Sequence, residues 1–259
     1  MEQVNNARQV QKQYEKADNL QVRIRLHAKY STNKEPFGQW IYKQYALEEN
    51  MRLLEVGCGD GSMWGNADAL LPRGAQLVLT DFSGGMLEAA RGNARGEKIS
   101  FLQADVQQLP FEDETFDAVF ANMMLYHVPD IQKGLHEIVR VLKKGGRMYA
   151  ATYGENGISG YLGELLSGYG VKSDMNRTFT LQNGGEILQR YFTHTEVRTR
   201  EDGLVITDRE DLLDYIFSMT AMMGAADADR ESVRKLLDAR MQDGVIYIPK
   251  EYGMFVCTK

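Results

Sequence analysis

Apolar and polar positions along the chain follow one rhythm before residue 51 and another after it. In "YEKADNLQVRIRLHAKY", Leu20, Ile24 and His27 or Ala28 fall on one face at helical spacing. Pro36 and Gly38 punctuate "STNKEPFG", and "QWIYKQYAL" reads as a second short helix. From residue 51, short apolar runs alternate with amphipathic stretches. "RLLEVG", "AQLVLTD", "ISFLQAD", "FDAVFAN" and "RMYAATY" read as five strands. "SMWGNADALL", opening at Ser62, "SGGMLEAARGNA", with Ser83 as N-cap, and "DIQKGLHEIVRVL", capped by Asp130 or Pro129, read as the helices between them. Near-continuous apolar strands separated by helices predict an α/β chain with a doubly wound parallel sheet covered on both faces.

After residue 153 the rhythm loosens. "GGEILQRYF", "DREDLLDYIFSMTAMM" and "ADRESVRKLLDARM" read as helices, "HTEVRTR" and "GLVIT" as short strands, and "VIYIPKEYGMFVCTK" as a closing strand. The expected organisation is a helical N-terminal cap over 1–50, a ligand-binding core over 51–153, and a segment 154–259 that supplies a lid insertion and the last strands, all as one domain.

In such a fold ligands sit at the carboxyl ends of the strands. The first strand ends in Glu55 and a turn with alternating glycines, Gly57, Gly59 and Gly61. The second ends in Asp81, 20 residues beyond Gly61, where a carboxylate can accept from both ribose hydroxyls. The third ends in Asp105, within reach of an adenine amino group, with Val106 as an apolar surface for the ring. Asn122 follows the fourth strand and faces the same crevice. The dinucleotide fingerprint wants its third glycine one place later, at Ser62, and the loop lacks the Lys-Ser or Lys-Thr of a phosphate loop. Glu55 and Asp60 border it and no basic residue lies in it, which favours a cationic ligand without phosphate.

These motifs resemble the class I S-adenosylmethionine-dependent methyltransferases. "LLEVGCGDG", "LTDFSGGMLEAAR", "FLQADVQQLPFEDETFDAVFANMMLYHV" and "LKKGGRMYAATY" carry the resemblance in order and spacing over roughly residues 50 to 153. They look most like the small-molecule enzymes with a ubiquinone/menaquinone-biosynthesis-type core. The resemblance implies a Rossmann-like, mostly parallel seven-stranded sheet and S-adenosyl-L-methionine as cofactor, with S-adenosyl-L-homocysteine as product. It implies that Gly57, Cys58 and Gly59 pass under the methionine part and that Glu55 supports the loop or the amino group. Asp81 would hold the ribose, with Phe82 and Met86 beside the adenine that Asp105 and Val106 bind. Asn122 would lie near the methionyl carboxylate or the methyl group. Tyr30, in "LHAKYSTN", and Tyr14 are the aromatic candidates for an N-terminal segment folded over the cofactor, where a ring face can stabilise a sulfonium.

Methyl transfer from a sulfonium needs a base only when the nucleophile holds its proton tightly. His127, five residues past Asn122, is the candidate, its ordinary pKa of about 6.5 suiting the task. Packing or capping is the competing role. His27, His136 and His194 read as structural, and Cys58 as a space-filler.

Composition narrows the partners. A net charge of -6 over 259 residues disfavours nucleic acid as a partner. Two cysteines, Cys58 and Cys257, support neither a zinc site nor a disulfide framework. The polar N-terminus has no signal-peptide run and no stretch reaches the roughly 18 apolar residues of a span, so the cytoplasm is the expected compartment. A small-molecule methyl acceptor, with no membrane insertion, is the first expectation. A non-catalytic cofactor- or partner-binding protein and a tRNA or protein methyltransferase stand as alternatives. A nicotinamide oxidoreductase stands behind them because of the glycine spacing.

Overall fold

The computed structural model describes residues 17–169, 176–223 and 228–259. Tyr14 lies outside them. Seven strands form one sheet in the order β3-β2-β1-β4-β5-β7-β6. They are β1 (Arg52–Val56), β2 (Gln76–Asp81), β3 (Ile99–Gln103), β4 (Phe116–Phe120), β5 (Leu142–Tyr153), β6 (His194–Ile206) and β7 (Ile246–Thr258). The β1–β2, β2–β3, β1–β4 and β4–β5 pairs are parallel. β7 runs antiparallel to β5, since Gly145 N–H donates to Lys259 O and Gly154 N–H to Glu251 O. The chain winds outward from β1 through β2 to β3, then returns to place β4 on the other flank of β1. That reversal is the topological switch point at which ligands settle in open α/β sheets.

The chain divides into two compact units. The sheet unit comprises residues 37–152, 178–198 and 253–259, and the helical unit residues 1–36, 153–177 and 199–252. This division departs from the expected boundary at residue 50. Phe37, Trp40, Tyr42 and Tyr45 pack with Leu53, Trp64, Phe120 and Tyr149, so apolar contact ties the second short helix, Phe37–Lys43, to the sheet. Residues 178–198 also join the sheet unit, because Phe179 and Leu188 are fully buried beside Phe255.

In the sheet unit β1 is buried on both faces. Leu54 and Val56 enter one core, with Leu135, Ile138 and Met148; Leu53 enters another, with Trp64 and Phe120. The helices Gly84–Asn93 and Ile131–Val141 begin at the expected caps: Ser83 Oγ accepts from Met86 N–H and Asp130 from Lys133 N–H. The stretch after Ser62 is not one helix. A single 3₁₀ turn, Ser62–Trp64, and one α turn, Ala67–Leu70, flank Gly65 and Asn66, and the break lets the Trp64 ring point inward to full burial.

In the helical unit, α1 (Ala17–Tyr30) buries Leu26 and Tyr30, while Ile24 is 48% exposed. The expected apolar face through Ile24 and Ala28 is therefore rotated. Leu26 and Tyr30, four residues apart, pack into a core with Leu212, Leu213, Tyr215 and Ile216 of the helix Arg209–Met223, and Arg23 donates to Ser218 O of the same helix. "HTEVRTR" and "GLVIT" are one strand, not two. At Gly203 an added Cβ would stand 2.6 Å from the Tyr247 hydroxyl, so this glycine marks a close approach by a neighbour rather than a turn.

Candidate functional site

The glycine turn after β1 explains its own alternation. Gly57, Gly59 and Gly61 all have positive φ, at 65°, 58° and 67°, a region L side chains rarely occupy. Their surroundings differ. A Cβ on Gly57 would meet Met124 Cβ at 2.8 Å, and one on Gly61 would meet Ala90 Cβ at 2.9 Å. A Cβ on Gly59 meets nothing within 4 Å. Two of the glycines are required by packing inside the protein; the third lies under open space.

The strand ends surround that space with acceptors. Asp81 closes β2, its Oδ2 accepting from Gly59 N–H at 2.9 Å and its Oδ1 from Ser83 N–H at 2.8 Å. Burial raises its pKa, and these two amides hold it back. Phe82 beside it is 55% exposed, a large ring left in solvent, and Met86 is half-buried on the first turn of the following helix. Asp105, just past β3, accepts at both oxygens from the Gln107 side chain at 3.0 Å and at Oδ1 from Gln107 N–H at 2.8 Å. Gln107 Oε1 in turn accepts from Asp130 N–H. Val106 is 8% exposed.

Glu55 is the deepest of the group, 3% exposed. Its Oε2 accepts from the Trp64 indole and its Oε1 from Asn122 Nδ2 at 2.8 Å. Burial pushes its pKa up to about 7 against these two hydrogen bonds, with Asp81 adding to the rise. No cation pairs with Glu55 among the described residues. Asn122 Nδ2 also donates to the Tyr45 hydroxyl at 2.7 Å, and Asn122 Oδ1 is buried without a partner among the described residues. The next residue, Met123, has φ 55°, a strained turn that carries the chain from Asn122 to the Met124 side chain beside Gly57.

Cys58 is no nucleophile: burial and the Glu55 and Asp81 carboxylates drive its thiol far above the ordinary range. His127 ends the 3₁₀ turn Leu125–His127, its ring 4.5 Å from that of Tyr126, and burial lowers its pKa to about 4. It is neutral at physiological pH and a weak proton acceptor. Tyr30 belongs to the helical unit, 5% exposed, with its hydroxyl donating to Asp211 Oδ2 at 2.7 Å.

The sheet unit thus brings Glu55, Gly57, Cys58, Gly59, Asp81 and Asn122 together through direct bonds or chain adjacency, with Asp105 and Val106 at the end of the strand paired with β2. Sequence reasoning did not single out Tyr45, Trp64 or Gln107. The aromatic spacing in "QWIYKQYAL" was the available signal for Tyr45. Nothing in the local pattern marks Trp64 or Gln107, which matter only through partners distant in the chain.

Residues 54–150 match the methyltransferase domain family. This segment is a methyltransferase domain of the class I kind. A demethylmenaquinone methyltransferase from Clavibacter sepedonicus is 43% identical over 103 residues, covering 39% of this chain and 41% of the relative. Among solved structures, the [4+2]-cyclase SpnF has a TM-score of 0.61 at 19% identity, covering 97% of this chain and 96% of that one. Phosphoethanolamine N-methyltransferase 2 of Haemonchus contortus, solved with S-adenosyl-L-methionine, has a TM-score of 0.59 at 20% identity, over 96% of this chain and 59% of that one. The chain spans less than half the length of the curated relatives it matches. The matched segment supplies β1 to β4 and most of β5, β6 and β7 complete the seven-stranded sheet from beyond it, and a cyclase with the same fold shows that the fold alone does not name the reaction.

Proposed function

We propose that this protein is an enzyme that transfers a methyl group from S-adenosyl-L-methionine to a small-molecule acceptor. The carrying observation is the acceptor set at the strand ends: the carboxylates of Glu55, Asp81 and Asp105 and the carbonyl oxygen of Asn122, unpartnered among the described residues, with an open glycine turn that has no basic side chain in it. That set fits a cationic nucleoside. Asp81 would accept from the ribose hydroxyls, Asp105 from the adenine amino group, with Val106, Phe82 and Met86 bordering the ring. Gly57, Cys58 and Gly59 would pass beneath the amino-acid end, which Glu55 and Asn122 face.

When bound, the cofactor supplies an already activated methyl group, so the protein's own work is positioning and water exclusion. Glu55, ionised opposite a cation, lowers the free energy of the charged ligand without being consumed. His127 at its lowered pKa serves as base only for an acidic nucleophile; with any other acceptor it shapes the crevice. Tyr30, with its ring and hydroxyl engaged in the helical unit, is read as part of that unit's core.

The acceptor's chemistry is not carried over from the relatives. The relatives' likeness covers 39% and 44% of this chain, and the family match runs over residues 54–150, short of the N-terminal helices and the segment beyond 153 where we place the acceptor enclosure. Among the described residues no helix is long and apolar enough to cross a membrane and no cluster suits a metal ion. With both cysteines free, we place the enzyme in the cytoplasm.

Thermal melting with S-adenosyl-L-methionine, S-adenosyl-L-homocysteine and NAD tests the reading. A ligand at 100 times its dissociation constant stabilises by about 2.7 kcal/mol. The first two should raise the melting temperature and NAD should not. A shift with NAD alone would sink the proposal.

A further inference from the structure

Tyr45 lies in the loop after the helix Phe37–Lys43, well before the glycine turn in sequence, yet it meets Phe120 of β4 and Asn122 just beyond it. Its ring stacks on Phe120 at 4.2 Å between centroids and meets the Tyr149 ring edge-on at 5.0 Å. Trp64 stands parallel at 6.4 Å. Tyr149 adds a second hold, its hydroxyl accepting from Ala46 N–H at 3.0 Å, one residue beyond Tyr45. A ring packed this closely has no freedom to swing, so its hydroxyl is a fixed point.

An Asn amide has two hydrogens and one carbonyl oxygen. In Asn122 both hydrogens are spoken for: Nδ2 stands 2.7 Å from the Tyr45 hydroxyl and 2.8 Å from Glu55 Oε1. The orientation is set by chemistry as well as distance, because turning the amide over would press its carbonyl oxygen against the Glu55 carboxylate. The oxygen is left buried and unpartnered among the described residues. A buried acceptor without a donor costs free energy, and an unsatisfied buried group in a native structure calls for a role or an unseen partner.

We propose that Tyr45 is a positioning residue for the amino-acid end of the cofactor: with Glu55 it holds both amide hydrogens of Asn122 and so presents the Asn122 carbonyl oxygen to the ligand's ammonium group. This rests on the methyltransferase reading above. Of the two expected neighbours of Asn122, the methionyl carboxylate or the methyl group, it sets the carboxylate aside, since an oxygen that can only accept repels a carboxylate and pairs with an ammonium. Glu55 behind it places a carboxylate at the same end.

The test uses two ligands that share adenosine and a thioether sulfur. S-adenosyl-L-homocysteine carries the amino-acid end; methylthioadenosine lacks it. Calorimetric titration of wild type, Y45F, N122A and the double variant, each checked by circular dichroism for its fold, separates the roles. Y45F should weaken S-adenosyl-L-homocysteine about tenfold, the scale of a hydrogen bond to a charged group, and leave methylthioadenosine within about twofold, because its contacts are untouched. N122A should do the same, and Y45F added to N122A should change nothing further, since Tyr45 acts through Asn122. Equal weakening of both ligands by Y45F, or full additivity with N122A, would overturn the positioning role. Wild-type protein that binds neither ligand would instead overturn the methyltransferase reading itself.

Discussion

Each unit holds a buried carboxylate, and their environments are opposites. In the helical unit Asp202 is fully buried between Arg200 and Lys250, both nearly so, and also accepts from Asn33 N–H at 3.0 Å. Those partners outweigh the cost of burial and lower its pKa to about 2. In the sheet unit Glu55 has two neutral donors and no cation among the described residues, and its pKa rises to about 7. One carboxylate is satisfied by its own chain. On the function proposed above, the other awaits the charge of a ligand. Buried ion pairs are ordinary structural devices; a desolvated carboxylate beside an open glycine turn marks a site.

Removing each carboxylate breaks the comparison most directly. Asp202→Asn leaves two buried cations facing one another and should destabilise the protein by about 3–5 kcal/mol in urea unfolding. Glu55→Gln removes an unpaired desolvated charge, and the amide can still accept from the Trp64 indole. It should shift stability by no more than about 1 kcal/mol while weakening S-adenosyl-L-methionine binding at least tenfold. Equal destabilisation by the two variants would erase the distinction.

The pH dependence has opposite signs at the two sites. Glu55's folded pKa, about 7, lies above its ordinary 4.5. Its contribution is present below 4.5 and is lost as pH rises through 7, to the extent of about 3 kcal/mol at 1.36 kcal/mol per pKa unit. Asp202's folded pKa lies below 3.8, so its contribution is present above 3.8 and lost as pH falls toward 2. His127 and His27, both lowered to about 4, oppose Glu55 in the middle window, since their contribution is lost as pH falls from 6.5 toward 4. Comparing wild type with Glu55→Gln across pH 5 to 8 isolates the Glu55 part, and the variant should lose less stability on the alkaline side. Cationic ligand binding near pH 7 should also drive a proton off Glu55, giving a calorimetric heat that changes with the buffer's ionisation enthalpy.

The two loop glycines sharpen the point within the sheet unit. Gly57→Ala meets both an unfavourable φ and the Met124 side chain, and should lower stability by about 1–3 kcal/mol. Gly59→Ala meets only the φ penalty of about 1 kcal/mol, yet should lose cofactor affinity more steeply for each unit of stability lost. The smallest effect is expected at Tyr30→Phe, which removes a hydroxyl from the partly solvated Lys29–Asp211 pair. Stability should fall by about 1 kcal/mol or less with cofactor affinity unchanged; a loss of affinity would restore Tyr30 to the cofactor.

Much of the sheet and its acceptors were legible because the information is local. Strand periodicity placed β1 to β5, and glycines at every second position after β1 marked the turn. Ser83 and Asp130 cap the helices they were expected to cap, Asp81 closes β2, and Asp105 lies two residues past the end of β3. What the chain alone left open depends on contacts between distant segments. The α1 face is chosen by the helix Arg209–Met223, nearly 200 residues on, and Gly203 looked like the start of a separate strand because Tyr247, the group it makes room for, is invisible to a local pattern. Residue types and their spacing determined that this chain carries acidic acceptors at the ends of parallel strands. Only the tertiary structure decided that Tyr45 and Trp64 would close around Glu55 and Asn122, since the burial that shifts the one and leaves an acceptor unpartnered on the other arises where side chains far apart in sequence exclude water together.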